Sequence, residues 1–108
     1  MKIEQDSSGK VRVTFEGSQE AQDLHPDPSA EHSEMEVHAY DAYASERTVY
    51  PVTFVVRESD IRETTADVTA RLKEPNVRAN PETLERLTKL SGVLQAALLD
   101  FEAPTPSN

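Results

Sequence analysis

The chain has 108 residues, a formal net charge of −9 at pH 7, 6% aromatic residues and no cysteine. Its length is typical of one domain, and the lack of cysteine excludes disulfides, thiolate nucleophiles and Cys-ligated zinc sites. No run comes near the roughly 18 apolar residues of a membrane-spanning helix, and the N-terminus lacks the apolar segment of a secretory signal. We therefore expect a cytoplasmic protein.

The acidic charge is concentrated in the first half of the chain. Residues 13–46 contain no Lys or Arg and nine of the 20 acidic residues, so this stretch carries a charge equal to that of the whole chain. Phosphate contacts need clustered cations, and we expect no direct binding to nucleic acid. Such a surface attracts basic partners, although acidic stretches are most often simply solvated.

The first predicted elements are a strand and a long loop. Residues 10–15 alternate polar and apolar side chains as a half-buried strand does, with Val11, Val13 and Phe15 facing the core. Residues 18–33 combine many acids and two prolines with one large apolar residue, which predicts an acidic loop that does not pack. A loop of this length is usually either functional or disordered.

Two further strands are predicted in the middle of the chain. Residues 35–40 alternate again, and residues 48–57 are rich in β-branched and aromatic side chains. Pro51 lacks the amide that a central ladder requires, so it belongs at a sheet edge or a strand start. The core face of the later strand would consist of Val52, Phe54 and Val56.

Residues 59–74 fit both a strand and a helix, because their apolar residues satisfy either period. The helix is favoured, since Asp60 and Glu63 have capping-box spacing and Pro75 would end it.

The last predicted element is a long amphipathic helix. Asn80 is a favoured N-cap and Pro81 a favoured first helical residue. The helix is predicted to extend to about residue 102, followed by an exposed tail over residues 103–108. Its apolar face would consist of Leu84, Leu87, Leu90, Leu94, Leu98 and Phe101.

These elements predict an α+β fold in a single domain over residues 1–102. A small antiparallel sheet of about three strands, with a fourth left open, would pack against the long C-terminal helix and a second, shorter helix.

A second side of the C-terminal helix carries small and apolar residues. Gly92, Ala96 and Leu99 lie together there, and small residues let another backbone approach closely. We predict a homodimer contact at these residues, since twofold dimers are the commonest oligomers. The alternatives are that another part of the same chain covers this side, or that Leu99 is simply exposed.

No pattern in the chain predicts catalysis or a cofactor. His25, Asp27, Glu31 and His32 could in principle supply metal ligands, but their spacing matches no compact motif, and no metal site is predicted. Neither a glycine-rich phosphate loop nor a G-x-S-x-G elbow occurs. We therefore expect a protein that is not an enzyme and that needs no cofactor.

The function that these features favour is a protein–protein interaction or assembly module. One alternative is an acidic inhibitor of the antitoxin, immunity or phage anti-defence type, which blocks a nucleic-acid-binding surface on another protein. Another is a structural component of a virion or other large assembly. The residues predicted to contact the partner are Glu20, Asp23, Asp27, Glu31, Glu34 and Glu36. Their charge would suit a basic protein partner.

Overall fold

The computed structural model describes residues 1–6, 8–24 and 33–102. The predicted loop over residues 25–32 and the predicted tail over residues 103–108 lie outside the described residues. The elements in chain order are β1 (Lys2–Gln5), β2 (Val11–Phe15), α1 (Ser18–Leu24), α2 (Glu34–Ala44), β3 (Val52–Val56), α3 (Glu58–Arg71), α4 (Pro75–Arg78) and α5 (Pro81–Glu102).

The strands form one antiparallel sheet in the order β1-β2-β3, and the sheet contacts α1, α2 and α5. This confirms the predicted α+β class, with a three-stranded sheet and a long C-terminal helix. Gly9, at φ +86°, closes the β1–β2 hairpin, where its amide donates to the Asp6 carbonyl and the Asp6 amide donates to the Lys10 carbonyl. Only glycine adopts such a φ without steric cost.

The inner face of the sheet is built as the sequence predicts. Val11, Val13 and Phe15 on β2 are fully buried. The Phe15 and Phe54 rings meet edge to face with their centroids 4.9 Å apart. Val56 is buried on the same face, and Pro51 stands immediately before this edge strand, where its missing amide costs no ladder bond.

The loop predicted over residues 18–33 is wrong for its first part, where the chain forms α1. Ala21 and Leu24, three residues apart, are both buried on the core side of this helix. A single large apolar residue is therefore enough to seat this short acidic helix against the core. At its N-terminus, the Glu20 carboxylate accepts a hydrogen bond from the Glu16 amide at 2.7 Å.

The strand predicted over residues 35–40 is also wrong, because these residues lie in α2. Ser33 caps this helix by accepting a hydrogen bond from the Glu36 amide at 3.2 Å. Met35 and Ala39, four residues apart, are both fully buried. The alternation of apolar residues therefore arises by coincidence in a segment that buries a helical face.

The helix favoured for residues 59–74 is confirmed as α3, which runs from Glu58 to Arg71. The predicted capping box of Asp60 with Glu63 is wrong, because the N-cap is Arg57 and Asp60 is the third helical residue. Asp60 caps it from inside the first turn by accepting the Arg57 amide at 2.9 Å. Thr64, Thr65 and Thr69 each donate a hydroxyl to the carbonyl four residues before it. Their hydroxyls are thus satisfied within the helix, so a helix of low mean hydropathy can enter the interior.

The C-terminal helix α5 is confirmed with its predicted start. The Thr83 amide donates to the Asn80 side-chain oxygen at 3.3 Å, and Pro81 is the first helical residue. Leu87, Leu90 and Leu94 are buried, and the helix packs against α3 and β1. One hydrophobic cluster therefore joins the sheet, α1, α2, α3, α4 and α5.

Candidate functional site

The acids predicted to contact a partner occupy different environments in the structure. Glu20 pairs with the amino group of Met1. Asp23 pairs with Arg86 at 3.1 Å between Oδ2 and Nε, which ties α1 to α5. These two carboxylates therefore hold the chain together internally. Asp27 and Glu31 lie outside the described residues.

Glu34 and Glu36 sit two residues apart on α2 and point to opposite sides of it. Glu34 is exposed, whereas Glu36 is only 1% exposed. The Glu36 carboxylate faces α3, where its Oε2 lies 3.9 Å from Nη2 of Arg71. Its Oε1 accepts a hydrogen bond from the Ser33 hydroxyl at 3.1 Å. The side chain of Glu36 is thus part of the α2–α3 interface.

A second carboxyl group makes the chemistry of Glu36 unusual. Burial, together with the hydrogen bond to Asp67 and the negative charge of Asp67, raises the pKa of Glu36 to about 8. Ser33 and Arg71 act in the opposite direction but are outweighed. At neutral pH the Glu36 carboxyl therefore keeps its proton and can donate a hydrogen bond to Asp67 across the α2–α3 interface.

Asp60 organises the other end of the same interface. The residue is 3% exposed, and its two carboxylate oxygens accept hydrogen bonds from the amides of Glu34 at 3.2 Å and Arg57 at 2.9 Å. Nearby, the hydroxyl oxygens of Ser33 and Thr64 are hydrogen-bonded, 2.7 Å apart. One buried carboxylate thus joins the starts of α2 and α3 to the end of β3.

The pKa of Glu36 in this buried polar cluster is perturbed in the way found at many active sites. Two surface cavities are lined by described residues, and Glu36 is not among the lining residues of either one. One cavity, of about 270 Å³, lies between α1 and α5 and includes Asp23 and Arg86. The other, of about 240 Å³, lies at the end of β3 and includes Glu34 and Asp60. The hydrogen bonds of the cluster join α2, α3 and the end of β3.

The histidines do not build a metal centre in the described part of the chain. His38 stacks on the Phe54 ring, with centroids 4.6 Å apart and planes 21° from parallel. His25 and His32 fall outside the described ranges, as do Asp27 and Glu31. Within those ranges, no group of three or more His, Asp or Glu side chains is arranged to hold a metal ion.

The exposed side of α2 carries apolar side chains between acids. Val37, Tyr40 and Tyr43 are 40%, 36% and 45% exposed. Glu34 and Asp41 are also exposed, and the helix contains no Lys or Arg. We call the surface formed by Glu34, Val37, Tyr40 and Asp41 the α2 face. Reading residues 35–40 as a strand hid this face, because it appears only with helical spacing.

The second side of α5 is open to solvent. Gly92 and Ala96 are exposed, and Leu99 is 67% exposed. The described residues thus leave this side uncovered, which is compatible with the predicted dimer contact and equally with a surface leucine.

Among the described residues, no helix has the length and apolar character needed to span a membrane. No protein-family model, no curated protein and no solved structure matches this chain.

Proposed function

We propose that this protein is a non-enzymatic interaction module that binds a basic protein surface through the α2 face. The observation that carries the proposal is the combination of exposed apolar side chains, Val37 and Tyr40, with exposed carboxylates on a helix without cations. The lack of cysteine suits a reducing compartment, and a cytoplasmic location is part of the proposal.

The spacing of these residues supports a single binding surface. Glu34, Val37 and Asp41 are three and four residues apart, and Tyr40 follows Val37 by three, so their side chains are neighbours on the helix. Met35 and Ala39 anchor the opposite side of α2 in the core. The α2 face is therefore held on a fixed element, as a binding surface requires.

The electrostatics support a basic partner. Residues 13–46 contain no Lys or Arg. The segment that includes α2 therefore supplies no cation to neutralise the carboxylates of the α2 face. An acidic rim raises the rate of encounter with a basic surface, and the apolar side chains at its centre supply the contact that holds the complex. The attraction is screened over about 8 Å at physiological ionic strength.

A defined probe tests this proposal. We expect an amphipathic lysine–leucine helical peptide to bind the full chain in a calorimetric titration, and a glutamate–leucine peptide of equal length not to bind. The double variant Glu34→Lys with Asp41→Lys should weaken binding about tenfold or more, and added salt should weaken it too.

The matched control is Glu85→Lys with Asp100→Lys, which makes the same change of charge at two exposed positions of α5. It should change the affinity by no more than about threefold. Equal binding of both peptides, or an equal loss in the double variant and the control, would show that the α2 face is not the binding surface.

A further inference from the structure

The outer edge of β3 is one of the two sides of the sheet that the described chain leaves without a neighbouring strand. Its hydrogen-bonding pattern follows from the hairpin. Asp6 and Lys10 form a hydrogen-bonded pair, and such pairs alternate along an antiparallel ladder. Residues 12 and 14 of β2 therefore bond to β1, whereas Val11, Val13 and Phe15 bond to their partners on β3.

The same alternation fixes which groups of β3 point outward. The backbone groups of Val52, Phe54 and Val56 form the hydrogen bonds to β2. The backbone groups of Thr53 and Val55 therefore face away from the sheet. Neither residue that flanks this edge has a free amide that could donate to a further strand. Pro51 has no amide hydrogen, and the Arg57 amide is held by Asp60 at 2.9 Å. The open edge thus consists of the backbone groups of Thr53 and Val55.

We propose that this edge pairs antiparallel with the same edge of a second copy of the chain, with the twofold axis at Phe54. In that register Thr53 of each copy lies opposite Val55 of the other, and each pair exchanges hydrogen bonds in both directions. Thr53 and Val55 lie at equal distances from Phe54, so a twofold axis at Phe54 places each of them opposite the other in the second copy.

The side chains favour a second copy as the occupant. Residues 52–56 carry no charge, so no like charges meet when the strand pairs with itself. Val52 and Phe54 are only partly buried on the inner face, and Val55 is 50% exposed on the outer one. Pairing would cover all three, with Phe54 beside its own copy at the axis.

The edge of β1 offers no comparable surface. This strand carries Lys2 and Glu4, both exposed, and charged side chains are a common means of protecting an edge from pairing. α5 also packs beside β1. The proposed contact is therefore specific to β3.

Self-pairing at β3 has a salt dependence opposite to that of the basic partner. α2 packs over β3, so the dimer brings two acidic helices of chains with a net charge of −9 near each other. Salt screens this repulsion, and dimerisation should strengthen as salt rises. Binding of a basic partner weakens with salt, so failure of one proposal leaves the other standing.

Sedimentation velocity of the full chain tests the proposal. We expect a monomer–dimer equilibrium whose dissociation constant falls at least about threefold between about 0.05 M and about 0.5 M salt. Val55→Pro removes an outward amide without touching the bonds to β2, and should raise the dissociation constant about tenfold or more. Val55→Thr, which keeps that amide, should remain within about threefold of the parent chain.

Leu99→Ala distinguishes this contact from one through the exposed side of α5, and should leave the dimer intact. A chain that stays monomeric at both salt concentrations would overturn the proposal, and so would a dimer that survives Val55→Pro but not Leu99→Ala. If Val55→Pro does not fold, amide hydrogen exchange of the parent chain tests the pairing instead. Protection of the Thr53 and Val55 amides must rise with protein concentration, and constant protection contradicts the pairing.

Discussion

Replacing Glu36 with Gln is expected to raise the free energy of unfolding by a few kcal/mol at about pH 9 and to leave it almost unchanged at about pH 4. The cause is the raised pKa of Glu36, about 8 against a usual value of 4.5. Each pKa unit corresponds to about 1.4 kcal/mol of difference between the two protonation states.

The sign follows from proton binding. Between the usual pKa of 4.5 and the raised value of about 8, the folded chain holds the Glu36 proton more tightly than the unfolded chain does. Stability from this group is therefore fully present below 4.5 and is lost as the pH rises toward 8. Gln resembles the protonated carboxyl in shape and can donate to Asp67, so the variant should lack this loss.

Chemical denaturation across this pH range measures the effect. Glu34→Gln is the matched control, because it removes the same charge from an exposed position on the same helix, and it should shift stability by less than about 0.5 kcal/mol. Asp67→Asn should lower the pKa of Glu36 by removing the neighbouring charge, and so reduce the slope. If Glu36→Gln and Glu34→Gln gave the same pH profile, the raised pKa of Glu36 would be disproved.

Replacing Asp60 with Ala is expected to cost about 2–4 kcal/mol of stability. The substitution removes the acceptor for two amides, those of Glu34 and Arg57, at the starts of α2 and α3. Because the site is buried, water cannot readily replace the lost oxygens. Asp60→Asn keeps one acceptor oxygen and should cost less than Asp60→Ala.

Urea unfolding measures the stability of the Asp60 variants, with Glu63→Ala as the control. Glu63 is exposed on the same helix, so its substitution reports the effect of losing an acid from α3 without losing the buried acceptor. A cost for Asp60→Ala no greater than that for Glu63→Ala would mean that the carboxylate does not hold the three elements together.

The sequence predicts an element well where local chemistry and burial agree. α5 has an Asn N-cap, a Pro at its first position and a leucine stripe with helical period, and all three describe the folded helix. β3 is likewise evident from its β-branched residues. β1 was missed because Lys2–Gln5 is short and polar, and it becomes a strand only by pairing with β2.

The sequence-based predictions are wrong where burial in the core, and not the local sequence pattern, determines the secondary structure. Residues 35–40 alternate as a strand does, yet burial of Met35 and Ala39 makes them a helix. The candidate site was beyond local reasoning for a related reason. Nothing in the neighbourhood of Glu36 predicts that α3 brings Asp67 and Arg71 to it, so a buried carboxyl was assigned to the solvated acidic surface.

The threonines of α3 have a consequence for how freely this helix can change over evolution. Thr65 and Thr69 bond only to carbonyls of their own helix, so valine, which has the same shape, could replace them while leaving only an ordinary helical carbonyl behind. Thr64 also meets the Ser33 hydroxyl, 31 positions away in the chain. Among these three threonines, Thr64 is therefore the one whose hydroxyl meets a residue outside α3, the N-cap of α2, and its substitution calls for a compensating change at Ser33.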